Sequence, residues 1–272
     1  MSTTLAGRPI RPTPSPRVAE AVPPALALDR YTVRQQLLTL TAERYDILDH
    51  SGTPVLFAER PAHALQNAGA GLASGAAAVA VAAGFVWLGS VLPELGTFGV
   101  VVLFASAFSA TIVTFVYGMS RLGKKRHITC YLDASKAVKA FEVRQNETVS
   151  GLTSTFTVLD ASGRPLAAIS KNMLTDVFRK KWLVKDPRSG RTLLVAKEDS
   201  ILRALLRRLV SKLVLLHFVL CQGESDVVLG EFKKEFRIRD VYDLDLTRDR
   251  LKSIDRRVAV AIGILLDTGE RR

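Results

Sequence analysis

The chain has 272 residues, 48% of them hydrophobic, and a formal net charge of +12. This composition allows a sizeable core and excludes disorder along the whole length. The positive charge favours an anionic partner, either nucleic acid or a membrane surface rich in acidic lipids. The two cysteines, Cys130 and Cys221, have neither paired nor metal-like spacing, which argues against a disulfide-rich secreted scaffold and against a zinc module.

Residues 1–29 form a leader that is rich in proline, and we expect it to be disordered. It contains no apolar block of signal-peptide length before Ala25. Its PTPSP run, at 12–16, could form polyproline II and bind a partner. A solvated tail is the favoured interpretation.

Two long uncharged runs follow, from Gln66 to Leu92 and from Leu95 to Ser120. A helix needs about 20 apolar residues to cross the hydrocarbon core, so each run is long enough to span a membrane. Only Pro93 and Glu94 separate them, which predicts a tight helical hairpin. The alternative, a pair of buried core helices, would need more surrounding protein than the chain supplies.

Basic residues flank this hairpin on its outer sides, with Arg60 before it and the run from Arg121 to His127 after it. The positive-inside rule therefore predicts that both flanks are cytoplasmic. We expect a multi-pass protein of the plasma membrane whose termini and remaining domain are cytoplasmic. Within the first helix, Gly71 and Gly75 form a small-xxx-small pair that would let the second helix approach closely, although an alanine-rich helix contains such pairs by chance.

Outside the hairpin, the sequence repeats a β-hairpin pattern in which an alternating strand ends at an Asp and a Gly follows within four residues. The pairs are Asp49 with Gly52, Asp160 with Gly163 and Asp186 with Gly190. Turn formation explains both residues of each pair, and a catalytic role for the aspartates is the alternative. The repeats predict about twelve short antiparallel strands, in a barrel or sandwich formed by residues 30–60 and 126–270. The membrane hairpin is an insertion after the third strand.

One basic amphipathic helix is predicted from Asp199 to Leu213. Its arginines could lie on an anionic membrane surface. Alternatively, its apolar stripe packs over the barrel while the arginines face water.

The run from Val258 to Leu266 is apolar but too short to span a membrane, because nine helical residues cover about 14 Å of a core roughly 30 Å thick. We therefore predict a helix buried on all sides inside a closed barrel. Gly263 fits a place where the strand wall comes close. The predicted core positions of this helix are Val258, Val260, Ile262, Ile264 and Leu265.

Three stretches in this order carry a family resemblance: YTVRQQLLTLTAERYDILDHSGTPVLFAE, FRKKWLVKDPRSGRTLLVAKE and DLDLTRDRLKSIDRRVAVAIGILLD. Together they resemble the tubby C-terminal-like superfamily, in its phospholipid scramblase and LURP-one-related branch. The resemblance implies a mainly β fold, a closed antiparallel barrel of about 12 strands around a central C-terminal hydrophobic helix, and binding or translocation of phospholipids.

The chain departs from that family at its calcium loop and its lipidation site. Asp240, Asp243 and Asp245 lack the Gly and the terminal Glu of an EF-hand-like loop, which argues against calcium activation. There is no cysteine cluster for palmitoylation, so the membrane hairpin would replace lipidation as the anchor.

We expect no enzymatic activity and no cofactor, because the sequence contains no phosphate loop, nucleophile elbow or metal-spaced His pair. The predicted partners are anionic membrane lipids, with a membrane-tethered scaffold or sensor that binds a protein as the alternative. Nucleic acid is disfavoured, because basic and aromatic residues do not interleave. The residues predicted to contact lipid head groups are Lys124, Lys125, Arg126, Arg179, Lys180, Lys181, Arg203, Arg207, Arg208 and Lys212. For Lys124 to Arg126, a role as topology determinants alone is an equal alternative.

Overall fold

The computed structural model describes residues 23–36, 42–92, 96–125, 127–147, 153–172, 180–199, 217–223, 225–235 and 241–270. In this part of the chain, twelve strands form one closed antiparallel barrel, in which every strand pairs with its neighbours in sequence and β1 pairs with β12. The predicted closed barrel is confirmed. The strands are β1 Arg30–Gln35, β2 Ala42–Leu48, β3 Pro54–Pro61, β4 Ile128–Tyr131, β5 Lys139–Gln145, β6 Thr153–Asp160, β7 Pro165–Asn172, β8 Lys181–Lys185, β9 Thr192–Glu198, β10 His217–Gln222, β11 Val228–Glu235 and β12 Val241–Asp245.

The last helix, Arg256–Glu270, fills the interior of the barrel; we call it α3, after the two hairpin helices. Every residue from Val258 to Thr268 is buried, so the helix has no solvent face over this stretch. Gly263 lies against the wall as predicted, because a Cβ added there would sit 3.0 Å from the Phe232 ring. The predicted core residues Val258, Val260, Ile262, Ile264 and Leu265 are all between 0 and 5% exposed, which confirms the central helix.

Near its C-terminus, α3 is held to the wall by a buried carboxylate. The side chain of Asp267 is fully buried, and it accepts hydrogen bonds from the hydroxyls of Tyr45 and Tyr242, which come from β2 and β12. Buried polar groups are tolerated when they are hydrogen-bonded. The two tyrosines therefore fix the position of the helix along the barrel axis.

The antiparallel order gives the barrel two distinct ends. At one, which we call the hairpin end, β3 finishes at Pro61 and β4 begins at Ile128, with the inserted helices between them. At the other, the turn end, lie the five connections that follow β2, β4, β6, β8 and β10, together with the loop from β12 into α3. The chain at Pro23–Asp29 also enters at the turn end.

The predicted Asp–Gly turns are confirmed at the turn end. In the β6–β7 turn, the carboxylate of Asp160 accepts hydrogen bonds from Ser162 Oγ at 2.6 Å and from the Arg164 backbone N–H at 2.8 Å. Gly163 has a φ of +83°, a conformation that glycine adopts without strain. In the equivalent turns, Asp49 precedes Gly52 at a φ of +83°, and Asp186 precedes Gly190 at +69°.

Replacing Asp160 by Asn should destabilise the barrel in a pH-dependent way. Burial raises the pKa of this carboxyl, but hydrogen bonds from Ser162 and Arg164 outweigh it and lower the pKa to about 2. A carboxyl whose pKa is lower in the folded state stabilises the fold above its unfolded pKa, and that stabilisation disappears as the pH falls. We expect a loss of about 1–2 kcal/mol at neutral pH in denaturant unfolding, narrowing between about pH 4 and pH 2. Asp226→Asn, at a side chain 93% exposed, is the control. A pH-independent deficit would contradict the argument.

The insertion consists of α1, Ala64–Val91, and α2, Thr97–Leu122, both long and apolar enough to cross a membrane. They lie outside the barrel with large apolar side chains exposed, for example Phe98 at 82% and Phe108 at 70%, so the core-helix alternative is wrong. Both helices begin about two residues from their predicted starts, and α2 continues to Leu122. The uncharged run ends at Ser120, but a charged residue at a helix end does not stop the helix.

The contact between α1 and α2 follows a different face from the predicted Gly71–Gly75 pair. The buried stripe of α1 consists of Ala70, Ser74 and Ala78. A Cβ added at Gly118 of α2 would lie 2.5 Å from Ser74 Oγ, whereas one added at Gly75 would meet nothing within 4 Å. Successive helix positions are about 100° apart, so a one-residue shift selects another face. Small residues at a spacing of four do allow the close approach, but they are Ala70, Ser74 and Ala78; a Cβ at Gly71 would meet Met119 Sδ at 3.9 Å, and Gly75 makes no such contact.

Gly118→Leu should separate the two helices, because its side chain would overlap Ser74. Gly84→Leu is the matched control, since a Cβ at Gly84 meets nothing within 4 Å. The distance between spin labels placed on α1 and α2 should increase and broaden in the Gly118 variant alone. Equal distance distributions in the two variants would place the helix contact elsewhere.

Candidate lipid-contact site

The two connecting segments between the barrel and the hairpin helices meet at what we call the hairpin base, residues 61–67, 121–125 and 127–128. Asn67 of α1 makes reciprocal hydrogen bonds with the backbone of Lys124. Its Nδ2 donates to the Lys124 carbonyl at 3.3 Å, and its Oδ1 accepts from the Lys124 N–H at 2.7 Å. This pair ties the start of α1 to the chain that leaves α2.

The hairpin base contains three exposed basic side chains: Arg121, Lys124 and Lys125. In the described residues, none of the three forms an ion pair with a carboxylate. The Arg121 guanidinium lies 5.2 Å from the centre of the Tyr117 ring, in a cation–π contact near the end of α2. Their charge is therefore available to a group from outside the protein.

His127 follows these cations in the chain, directly before β4, and its side chain is half-buried. Its Nδ1 accepts a hydrogen bond from the Gln145 backbone N–H at 3.1 Å, so the neutral ring carries its proton on Nε2. Burial lowers the pKa of His127, and the positive charges of Arg144 and Lys125 lower it further, against an opposing effect of Glu142. The pKa of His127 therefore depends on the charge of the hairpin base.

Lys180 and Lys181, two of the other predicted contact residues, are not brought next to this cluster. Lys180 and Lys181 stand at the start of β8, at the hairpin end of the barrel but separated from the hairpin by β4 to β7. The Lys180 N–H donates to Glu198 Oε2 at 3.4 Å. Outside the described residues lie Arg126, Arg179, Arg203, Arg207, Arg208 and Lys212.

The structure places the first residue of the predicted amphipathic segment, Asp199, and the first described residue after it, His217. Asp199 follows β9 and His217 begins β10, so the chain leaves and re-enters the barrel at the hairpin end. His217 Nδ1 lies 2.9 Å from Asp199 Oδ2, and its Nε2 lies 3.3 Å from Glu231 Oε2. The connections that carry the predicted basic residues therefore open at the same end of the barrel as the membrane hairpin.

Three residues of the hairpin base were missed as site residues from the sequence: Arg121, which was considered only as a flanking charge, Asn67 and His127. In the sequence, Asn67 is one polar residue within an uncharged run. His127 and Cys130 together are only a two-ligand fragment of a possible metal site, which is a weak signal. A signal was available for Asn67, because a polar amide at the start of an apolar helix needs hydrogen-bond partners. For His127, the spacing to Gln145 depends on the β4–β5 pairing.

Two of the three aspartates considered for calcium bind groups of the protein itself. Asp243 accepts a hydrogen bond from Thr32 Oγ1 at 2.9 Å, and Asp245 accepts from Thr247 and pairs with Arg30. Asp240 lies outside the described residues. The described part of the chain contains no group of three His, Cys, Asp or Glu side chains that could hold a metal ion.

Comparisons with known proteins do not identify a family. No family model matches the chain, and no curated protein matches it significantly. A solved structure of a protein from Arabidopsis thaliana is 17% identical, with 54% of this chain and 85% of that chain covered, at a TM-score of 0.25. Similarity at this level carries no argument about function.

Proposed function

We propose that the protein is an integral membrane protein that binds acidic phospholipid head groups at its hairpin base. The observation that carries the proposal is the set of three exposed cations without a carboxylate partner, where two helices of membrane-spanning length leave the barrel. Each Lys or Arg near an anionic leaflet contributes about 1 kcal/mol. The scramblase and LURP-one-related resemblance supports the same lipid class.

The proposed topology puts the barrel, both termini and the hairpin base on the cytoplasmic side of the plasma membrane. The positive-inside rule supports it, because the basic flank from Arg121 to Lys125 adjoins the hairpin. Cysteine accessibility in intact cells tests it. A cysteine placed at Gly96, between the helices, should react with an impermeant thiol reagent, while one placed at Lys185 should not.

The binding test uses the full-length protein in nanodiscs. The association of spin-labelled phosphatidylserine should exceed that of phosphatidylcholine by about threefold. This ratio corresponds to less free energy than two or three cations supply at about 1 kcal/mol each. Lys124→Gln with Lys125→Gln, which leaves Arg121 as the one remaining cation of the three, should remove most of the preference. Lys185→Gln with Arg188→Gln removes the same charge from the turn end and should leave it unchanged. Equal association of both lipids with the native protein would refute the proposal.

The titration of His127 gives an independent measurement. Acidic lipid at the hairpin base would offset the cations that lower the pKa of His127, so that pKa should rise in nanodiscs with phosphatidylserine. NMR of the imidazole follows the change. The rise should be absent in the Lys124 and Lys125 double variant, and the same pKa with both lipids in the native protein would contradict lipid binding at this site.

Lipid translocation is a second candidate, favoured by the outer face of α2. Ser106 and Ser109 lie near the middle of this helix with exposed hydroxyls, and neither makes a hydrogen bond in the described residues. Polar groups at bilayer depth ease the passage of head groups. Vesicles with fluorescent lipid in one leaflet test it. Lipid exchange at the protein-free rate, with and without Ca²⁺, would exclude translocation; a faster rate should fall in a Ser106→Leu, Ser109→Leu variant.

A further inference from the structure

The loop from β12 into α3 presents one leucine to solvent at the turn end of the barrel. Leu251 is 92% exposed, more than any other large apolar residue in the described part of the chain, the hairpin helices included. Arg250 and Lys252 flank it, and both are exposed. We call residues 247–253 the Leu251 finger.

The buried carboxylate of Asp249 holds the Leu251 finger in place. Asp249 accepts hydrogen bonds from the backbone N–H groups of Ser253 at 2.8 Å and Ile254 at 3.0 Å, and it pairs with Arg256 at 2.6 Å. The Lys252 N–H closes the turn by donating to the Asp249 carbonyl at 3.0 Å. The leucine is therefore presented in a fixed position.

The tip of the Leu251 finger has a strained backbone and exposed positive charge. Lys252 has a φ of +49°, which is unfavourable for a residue with a side chain. Its ammonium group donates to the Ala27 carbonyl at 3.3 Å, and neither it nor Arg250 pairs with a carboxylate in the described residues. The tip combines an apolar side chain with two cations that pair with no carboxylate of the described residues.

We propose that the Leu251 finger docks on a second anionic membrane, opposite the one that holds the hairpin. A leucine between two cations fits the boundary of an acidic bilayer, where the leucine enters the acyl region and the cations meet phosphates. A side chain as exposed as Leu251 needs no shape-matched pocket when its partner is a lipid surface.

The position of the finger selects a membrane in trans. It lies at the turn end, whereas the helices leave at the hairpin end, and the 15 residues of α3 run between these ends over about 22 Å. The inference rests on the proposed membrane insertion of α1 and α2. It does not depend on lipid binding at the hairpin base.

The test uses the full chain in nanodiscs of neutral phosphatidylcholine, floated with separate vesicles. Vesicles with about 30% phosphatidylserine should carry at least about fivefold more nanodisc than vesicles of phosphatidylcholine alone. Leu251→Asp should reduce docking to the neutral level, and Arg250→Gln with Lys252→Gln should reduce it by about fivefold. Thermal unfolding checks that these exposed substitutions leave the barrel intact.

Matched variants separate this inference from the proposed function. Lys185→Gln with Arg188→Gln removes two cations elsewhere at the turn end and should leave docking unchanged. Lys124→Gln with Lys125→Gln should also leave trans docking unchanged, while it removes most of the lipid preference in the separate spin-label assay. Docking that survives both finger variants, or no docking above the neutral level, would overturn the inference. Salt-sensitive docking that Leu251→Asp leaves intact would overturn it too, because only charge would then be involved.

Discussion

Ile262→Asp is expected to unfold the barrel while leaving α1 and α2 in the membrane. Ile262 is fully buried at the middle of α3, and strands surround the helix on all sides. A carboxylate placed there has no partner and no route to water, so its burial costs several kcal/mol on top of the lost apolar contacts. Since a domain is stable by only about 5–15 kcal/mol, this one change removes most or all of the folding free energy.

Limited proteolysis and near-UV circular dichroism of the reconstituted full chain measure this effect. The barrel should become protease-sensitive and lose its near-UV signal, while fragments that contain both helices stay with the vesicles. Leu251→Asp introduces the same carboxylate at a position 92% exposed, and it should preserve both signals. A folded Ile262→Asp barrel would mean that α3 is not the core of the fold.

The central helix could be predicted from the sequence because its evidence is local. Nine apolar residues between charged ends are too few for a bilayer and too apolar for a surface helix, which leaves burial inside protein. The Asp–Gly turns are local in the same sense. By contrast, closure of the barrel depends on β1 pairing with β12, where Thr32 lies opposite Asp243, and no feature of either strand alone specifies that partner.

The residues of the candidate site also fall into two groups: those that local sequence predicts and those that depend on tertiary contacts. Lys124 and Lys125 could be predicted because they adjoin an uncharged run, and topology rules apply to such flanks. The distance of Lys181 from them around the barrel follows from the strand order. The Asn67 contact and the α1 face at Ser74 depend on the rotation of one helix against another. A shift of one residue changes that rotation without changing the apolar pattern.

Arg256→Ala should destabilise the barrel far more than Arg257→Ala, although the two residues are adjacent. Arg256 is the first residue of α3, and its side chain is 4% exposed. It pairs with Asp249 and Asp29, both at 2.6 Å. The removal of one partner from a buried ion pair costs about 3–5 kcal/mol, because a buried charge stays behind. Arg257 pairs with the more exposed Asp255, and such a pair contributes under about 1 kcal/mol.

Two further measurements distinguish the effect of an unpaired buried charge at Asp249 from a simple loss of packing. Burial raises the pKa of Asp249, but hydrogen bonds from Ile254, Ser253 and Arg256 hold it below its usual value. Without Arg256 this pKa should rise, so the deficit in the free energy of unfolding should shrink as the pH falls and Asp249 takes up a proton. Asp249→Asn should recover part of that deficit in the Arg256→Ala background, because it removes the unpaired charge. A deficit that neither acid nor Asp249→Asn reduces would assign the role of Arg256 to packing rather than to charge.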